Sequence, residues 1–181
     1  MIIDENIVYF FCKKILKKSG IYVFAGEPPG GSDELHRVEL KHPSNKNKGS
    51  KGSRKFDLIA YHMSTFLLIE LKDSSKKHND DIKKLINTID DDLWLKSLWE
   101  GINQRRLFGN NIIPKYSLND FMNKREKLFQ PCLGAGPSDY IPPENFIYFE
   151  VKEDYLKCRY EKIKNESVAS DIIQRISTNN F

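Results

Sequence analysis

Three charged residues near the middle of the chain have the types and spacing that metal-assisted hydrolysis uses. Asp57 lies within one apolar run, and Glu70 and Lys72 flank Leu71 at the end of the next. Two carboxylates and a main-chain carbonyl, here that of Leu71, form the hard oxygen site that Mg²⁺ prefers. A neighbouring lysine can orient or deprotonate a water and offset negative charge in the transition state. These residues favour hydrolysis of a phosphodiester with Mg²⁺.

The two apolar runs, 55–62 and 65–72, are predicted to form a β-hairpin whose turn is the pair of residues between them. With the turn centred there, Asp57 lies opposite Glu70, and directly opposed residues share a face of the sheet. Residues two apart on a strand also share a face, so Lys72 lies beside Glu70. The register therefore predicts one cluster of three charged groups at the open end of the hairpin.

The hairpin is apolar on both faces, which predicts a central position with cover on both sides. Two carboxylates opposed at the rim of such a sheet repel each other, and partial desolvation increases the cost. A divalent cation that bridges both acids would offset this repulsion.

The elements around the hairpin predict one α/β domain spanning 1–181, with a central mixed β-sheet flanked by helices. Apolar periodicity and capping residues predict the helices, and the remaining short apolar runs predict strands. Residues 131–143 are predicted to be irregular. The predicted helices are 4–18, 79–89, 91–107 and 167–176, and the further strands are 21–25, 36–42 and 146–151.

Composition limits the class of protein without deciding its function. The net charge is +4, and 39% of the 181 residues are hydrophobic, which suits a globular domain. Three widely spaced cysteines fit a reducing compartment. No apolar stretch is long enough for a membrane span, so we expect a soluble cytoplasmic protein with no membrane partner. We also expect no small-molecule cofactor.

The pattern of Asp57 followed by Glu70-Leu71-Lys72 resembles the motif of the PD-(D/E)XK nuclease superfamily, with Phe56 where that family often has proline. Residues 52–61, GSRKFDLIAY, also resemble the corresponding strand of FokI-type cleavage domains of type IIS restriction endonucleases. The specific resemblance covers about residues 50–73. It implies a restriction-endonuclease-like fold and a Mg²⁺-dependent endonuclease that cuts one strand of double-stranded DNA per active site, with Asp57 and Glu70 on the metal and Lys72 positioning the water.

The resemblance also implies a further acid and a partner. The family often has an acid on its first helix, for which Glu5 is the first candidate and Glu39 the second. The chain is barely longer than a cleavage domain, so it resembles the catalytic small subunit of a heterodimeric type IIS restriction enzyme. A larger subunit would then recognise the sequence and nick the other strand. The alternatives are a self-sufficient homodimeric restriction enzyme, another nuclease of the superfamily that acts in repair or transposition, and a catalytically silent DNA-binding or assembly subunit.

A basic run precedes the hairpin and contains no acid between residues 41 and 55. Such a run can follow DNA phosphates beside an active site, and it can equally be a solvated loop. The candidates for DNA contact are Lys48, Lys51, Arg54 and Lys55.

Overall fold

A mixed β-sheet of six strands forms the centre of the computed structural model, which describes residues 3–31, 34–44, 52–153 and 155–180. Helices flank the sheet, so the predicted α/β class is confirmed, and the architecture is consistent with a restriction-endonuclease-like fold. No helix in these ranges is long and apolar enough to cross a membrane. The elements are α1 (Glu5–Lys18), β1 (Tyr22–Gly26), β2 (Leu58–His62), β3 (Thr65–Leu71), α2 (Asn79–Asp90), α3 (Asp92–Gln104), α4 (Leu118–Asn123), α5 (Arg125–Leu128), β4 (Phe129–Ala135), β5 (Ile147–Val151), β6 (Leu156–Arg159) and α6 (Glu166–Asn179), with a 3₁₀ turn at Ser75–Lys77.

The strands lie side by side in chain order. The first three are antiparallel neighbours, β4 and β5 continue the sheet parallel to β3, and β6 returns antiparallel. A parallel pair needs a crossover, and helices α2 to α5 provide it between β3 and β4. The β3 strand is therefore the junction between the antiparallel and parallel halves of the sheet.

Both faces of the β2–β3 hairpin are buried, as its sequence predicted. One face packs against the group of helices between β3 and β4, and the other packs against α1 and α6. Ile59 and Leu68 belong to the first core, whereas Leu58 and Ile69 belong to the second. Alternate residues thus enter opposite cores, which is the period of two that the hairpin pattern required.

The hairpin turn fixes the predicted register. His62 pairs with Thr65 and Leu58 pairs with Ile69, as expected for a turn centred between Met63 and Ser64. Both turn residues have positive φ, 47° and 61°, which is the geometry of a type I′ turn. This turn matches the twist of the flanking strands, so it is used here although neither residue is glycine or asparagine.

Residues 36–42 do not form the predicted strand. His36 and Leu40 each make one isolated bridge, and no ladder continues from them in the described part of the chain. Val38 is buried instead against α3, where a Cβ on Gly101 would lie 2.9 Å from its Cγ1. Packing of this segment onto a helix replaces pairing along a strand.

The prediction that residues 131–143 are irregular is wrong for their first part, because β4 lies at the centre of the sheet between β3 and β5. Pro131 and Gly134 concealed this strand, since both are unusual in a central strand. A Cβ on Gly134 would lie 2.6 Å from Leu71 Cδ2 and 3.1 Å from the carbonyl oxygen of Phe149. Glycine therefore allows β4 to approach its two neighbours closely.

Candidate active site

Asp57 and Glu70 meet at the open end of the β2–β3 hairpin. The ladder ends at the pair formed by Leu58 and Ile69, one position before the predicted pair of Asp57 and Glu70. Oδ2 of Asp57 accepts a hydrogen bond of 2.6 Å from the N–H of Leu71. The predicted convergence of the two acids is therefore present, and a main-chain hydrogen bond holds one of them in place.

Burial makes both acids difficult to ionise together. It raises the pKa of Glu70 well above the usual range, and the negative charge of Asp57 raises it further, against the opposing charge of Lys84. Burial also raises the pKa of Asp57, although the hydrogen bond from Leu71 and the charges of Lys72 and Lys84 lower it. A pair of carboxylates in this environment needs a nearby positive charge to remain ionised at neutral pH.

Lys72 brings its ammonium group to the same end of the hairpin. Its Nζ lies 3.8 Å from Oε1 of Glu5 and 3.9 Å from Oδ2 of Asp81. Both distances exceed a normal hydrogen bond, so these contacts orient the ammonium without occupying its N–H donors. Burial alone would lower the pKa of Lys72, but the surrounding carboxylates, led by Asp81, outweigh it and raise that pKa.

Of the two candidate upstream acids, Glu5 is the one that reaches this cluster. It lies in the first turn of α1, which Asp4 caps by accepting a hydrogen bond from the N–H of Ile7. Glu39 instead lines a separate cleft beside α3, with Ser97 and Gly101. The start of α1 thus places Glu5 near the end of β3, on the face of the sheet opposite to α2.

Helix α2 contributes two charged residues that the sequence analysis did not identify. Nζ of Lys84 lies 2.5 Å from Oε1 of Glu70 and donates a hydrogen bond to the carbonyl of Lys55. Asp81 lies one turn earlier on the same face of the helix and contacts Lys72. Glu70 and Lys72 therefore each have a partner of opposite charge on α2.

A sequence signal for this helix face existed but was obscured by polar side chains. The buried positions of α2 are Asp81, Leu85 and Thr88, spaced as one helical stripe. Three of the four apolar residues of the helix, Ile82, Leu85 and Ile89, also face the core, whereas Ile86 is 44% exposed. Asp81 is the member of this stripe that lies at the charged end of the hairpin, where it contacts Lys72.

The donor set fits a hard divalent cation such as Mg²⁺. Oε1 of Glu70 is buried, and its contact with Lys84 is an ion pair without a well-directed hydrogen bond. Within the described ranges, no group of three or more His, Cys, Asp or Glu side chains is arranged to hold a metal. Two carboxylates supplemented by a carbonyl and waters are nevertheless sufficient for Mg²⁺. Participation of the Leu71 carbonyl stays a prediction.

The candidate DNA contacts have different surroundings. Lys48 and Lys51 lie outside the described residues. The guanidinium of Arg54 donates hydrogen bonds of 2.9 Å to Thr88 Oγ1 and 2.7 Å to Asn87 Oδ1, and it stacks 3.9 Å above the Trp94 ring. This packing ties the chain before β2 to helices α2 and α3.

Lys55 also has a protein partner, because its Nζ lies 3.2 Å from Oε2 of Glu27. Contact of Arg54 or Lys55 with DNA stays a prediction.

Comparisons with protein-family models, with curated proteins and with solved structures found no match to this chain. A functional assignment must therefore rest on side-chain geometry and on the motif within residues 50–73.

Proposed function

We propose that this chain is a Mg²⁺-dependent endonuclease that hydrolyses phosphodiester bonds of double-stranded DNA. The observation that supports this function is the convergence of Asp57, Glu70 and Lys72 at one end of a doubly covered hairpin, with Glu5 beside them. The spacing of the first three residues resembles the PD-(D/E)XK motif, and their positions agree with the roles that this resemblance implies.

In the proposed mechanism, Asp57 and Glu70 would hold Mg²⁺ with the carbonyl of Leu71. The bound ion would polarise a phosphoryl oxygen and lower the pKa of a water. Because the neighbouring carboxylates raise the pKa of Lys72, its amine is charged at neutral pH. Lys72 therefore acts as a donor that orients the attacking water and stabilises negative charge on the phosphate, rather than as the initial base.

We further propose that the chain is the catalytic small subunit of a type IIS restriction enzyme. The residues described here contain one convergent Asp-Glu-Lys cluster, which suits cleavage of one DNA strand. A larger subunit would supply sequence recognition and nick the second strand. A homodimer that cuts both strands with two copies of the same site is the alternative enzyme.

One observation favours a non-enzymatic alternative. Lys84 already places a positive charge against Glu70, so the cluster can be compensated without a metal. A catalytically silent DNA-binding or assembly subunit would need no more than this ion pair. Metal binding distinguishes the two functions, because a silent subunit has no requirement for Asp57 beside Glu70.

The direct test is plasmid cleavage with Mg²⁺ and with EDTA, for the chain alone and together with a candidate large subunit. Asp57→Ala, Glu70→Ala and Lys72→Ala should each abolish cleavage, whereas Asp80→Ala, which removes an exposed acid of α2, should not. Undiminished cleavage by Glu70→Ala would reject the mechanism. The folded state of each variant is checked by its thermal unfolding.

The same assay separates the forms of the proposal. Double-strand cuts at a defined site only in the mixture support the heterodimer, and specific cuts by the chain alone support a self-sufficient enzyme. Absence of metal-dependent cleavage in both conditions, together with no binding of Mg²⁺ in a titration, favours the silent subunit.

A further inference from the structure

One carboxylate oxygen of α2 contacts both a buried histidine and the proposed catalytic lysine. Oδ2 of Asp81 lies 3.1 Å from Nδ1 of His78 and 3.9 Å from Nζ of Lys72. The histidine contact has hydrogen-bonding length, whereas the lysine contact is a longer ion pair. The first contact can therefore fix the carboxylate, and the second can act on the ammonium through charge.

The histidine side of this chain of contacts is rigidly enclosed. His78 is 1% exposed and Asp81 is 7% exposed. The imidazole ring lies against the rings of Tyr140 and Tyr148, with centroid separations of 6.1 and 6.3 Å. A carboxylate can only accept hydrogen bonds, so Nδ1 of His78 is the donor in this contact. His78 thus limits the rotation of the Asp81 carboxylate.

The Lys72 side chain is more flexible than His78, so the buried Asp81 carboxylate can determine where the Lys72 ammonium lies. Lys72 carries its charge on a flexible stem of four carbons. The other acid within 4 Å of its Nζ, Glu5, has a side chain that is 39% exposed, so solvent weakens its influence. Of the two ion pairs of Lys72, only the one with Asp81 has a buried acid, and that acid is also hydrogen-bonded to His78.

We propose that Asp81, held by His78, is a positioning residue that directs the ammonium of Lys72 toward the phosphate to be cleaved. The inference rests on the proposed nuclease function for its catalytic meaning. Asp81 does not touch the substrate or the metal, and it acts only through Lys72.

The first test compares Asp81→Asn with Asp80→Asn in cleavage assays. Both variants remove one negative charge from the first turn of α2, but Asp80 is exposed. We expect Asp81→Asn to lower kcat by about 10- to 100-fold with KM for DNA unchanged, since misorientation of a reacting group has effects of this size. Asp80→Asn should retain the wild-type rate.

A second test does not depend on activity. Competitive reductive methylation, read by mass spectrometry, compares the labelling of Lys72 with that of exposed Lys83 in the same sample. Loss of the adjacent carboxylate should release the Lys72 side chain from this contact and increase its labelling by about threefold or more, with Lys83 unchanged. Asp80→Asn should change neither lysine.

The outcomes separate this inference from the proposed function. If the wild-type protein cleaves and Asp81→Asn cleaves equally fast, the inference is overturned. A slower variant whose lysines are all labelled faster, with a lower unfolding temperature, would assign Asp81 to the fold and also overturn it. If the wild-type protein cleaves neither alone nor with a large subunit, the nuclease proposal fails, and unchanged labelling of Lys72 would then reject the contact with Asp81 as well.

Discussion

The N–H of Leu71 donates a hydrogen bond to Oδ2 of Asp57 across the open end of the β2–β3 hairpin. Asp57 lies just before the first residue of β2, so this contact extends the register by one position beyond the ladder. A slip of one residue would send Asp57 to the other face of the sheet. The geometry of the candidate site therefore depends on the turn that sets the register.

Replacement of Met63 by asparagine should stabilise the protein by about 0.5–1 kcal/mol, because asparagine tolerates the positive φ of a type I′ turn better. Met63 has φ of 47° and is 49% exposed, so little packing is lost. Urea unfolding measures the change, and Met63→Ala serves as the control that removes the side chain without this preference. Equal stability of the two variants would contradict the prediction.

The stability of the metal-free protein should fall as pH rises above the usual pKa of glutamic acid, about 4.3. Because the pKa of Glu70 is raised in the folded state, the folded protein binds more protons than the unfolded chain between the two values. The contribution of Glu70 to stability is complete at low pH and is lost as pH rises through its raised pKa. The variant Glu70→Gln should reduce this loss, as measured by thermal unfolding in EDTA at several pH values.

The informative comparison is the difference between wild-type and variant curves, since other acids titrate in both. Curves that remain parallel from acidic to neutral pH would show that Glu70 is not the group responsible.

Lys84→Met should lower the stability of the metal-free protein at neutral pH by about 1–3 kcal/mol, since Glu70 loses its nearest cation. The variant Lys83→Met is the matched control, because it removes an exposed lysine from the same helix. Mg²⁺ should restore more stability to Lys84→Met than to wild type, if the ion and Lys84 neutralise the same carboxylate. Chemical unfolding with and without Mg²⁺ tests both parts.

Similar stabilities of the two lysine variants in EDTA would show that the ion pair with Glu70 contributes nothing measurable. A smaller gain from Mg²⁺ in Lys84→Met than in wild type would mean that the two cations do not neutralise the same group.

Glu5→Gln should slow cleavage by about tenfold, equivalent to about 1.4 kcal/mol of transition-state stabilisation. Glu5 lies 3.8 Å from Lys72, whereas Glu39 lines a different cleft. Glu39→Gln is therefore expected to leave the cleavage rate unchanged. Single-turnover cleavage of a short duplex gives both rates, and the reverse order of effects would assign the upstream acid to Glu39.

The start of α1 was predictable because its determinants are local. Asp4 caps the helix, the apolar spacing of its inner face is regular, and Glu5 follows within the first turn. Its proximity to Lys72 was not predictable, because that contact joins residues 67 positions apart. The capping pattern indicated where α1 begins, but it did not indicate which strand end would lie beside the start of the helix.

The central strand β4 was missed for a related reason. Pro131 and Gly134 disfavour a strand when their neighbours in the sheet are unknown. In the folded chain, Gly134 is required by the close approach of Leu71 and Phe149. Gly134 therefore weakens the sequence signal for a strand, although close contacts between strands require a glycine at this position.

The sequence by itself determined the hairpin, its register and the convergence of Asp57, Glu70 and Lys72, because strand alternation and turn position are local and leave one consistent pairing. Only the tertiary structure decided the orientation of α2, which places Asp81 and Lys84 over the hairpin. Helix rotation depends on packing against distant residues, and the apolar residues of α2 indicate its buried side without showing which charged residues of the hairpin that side meets.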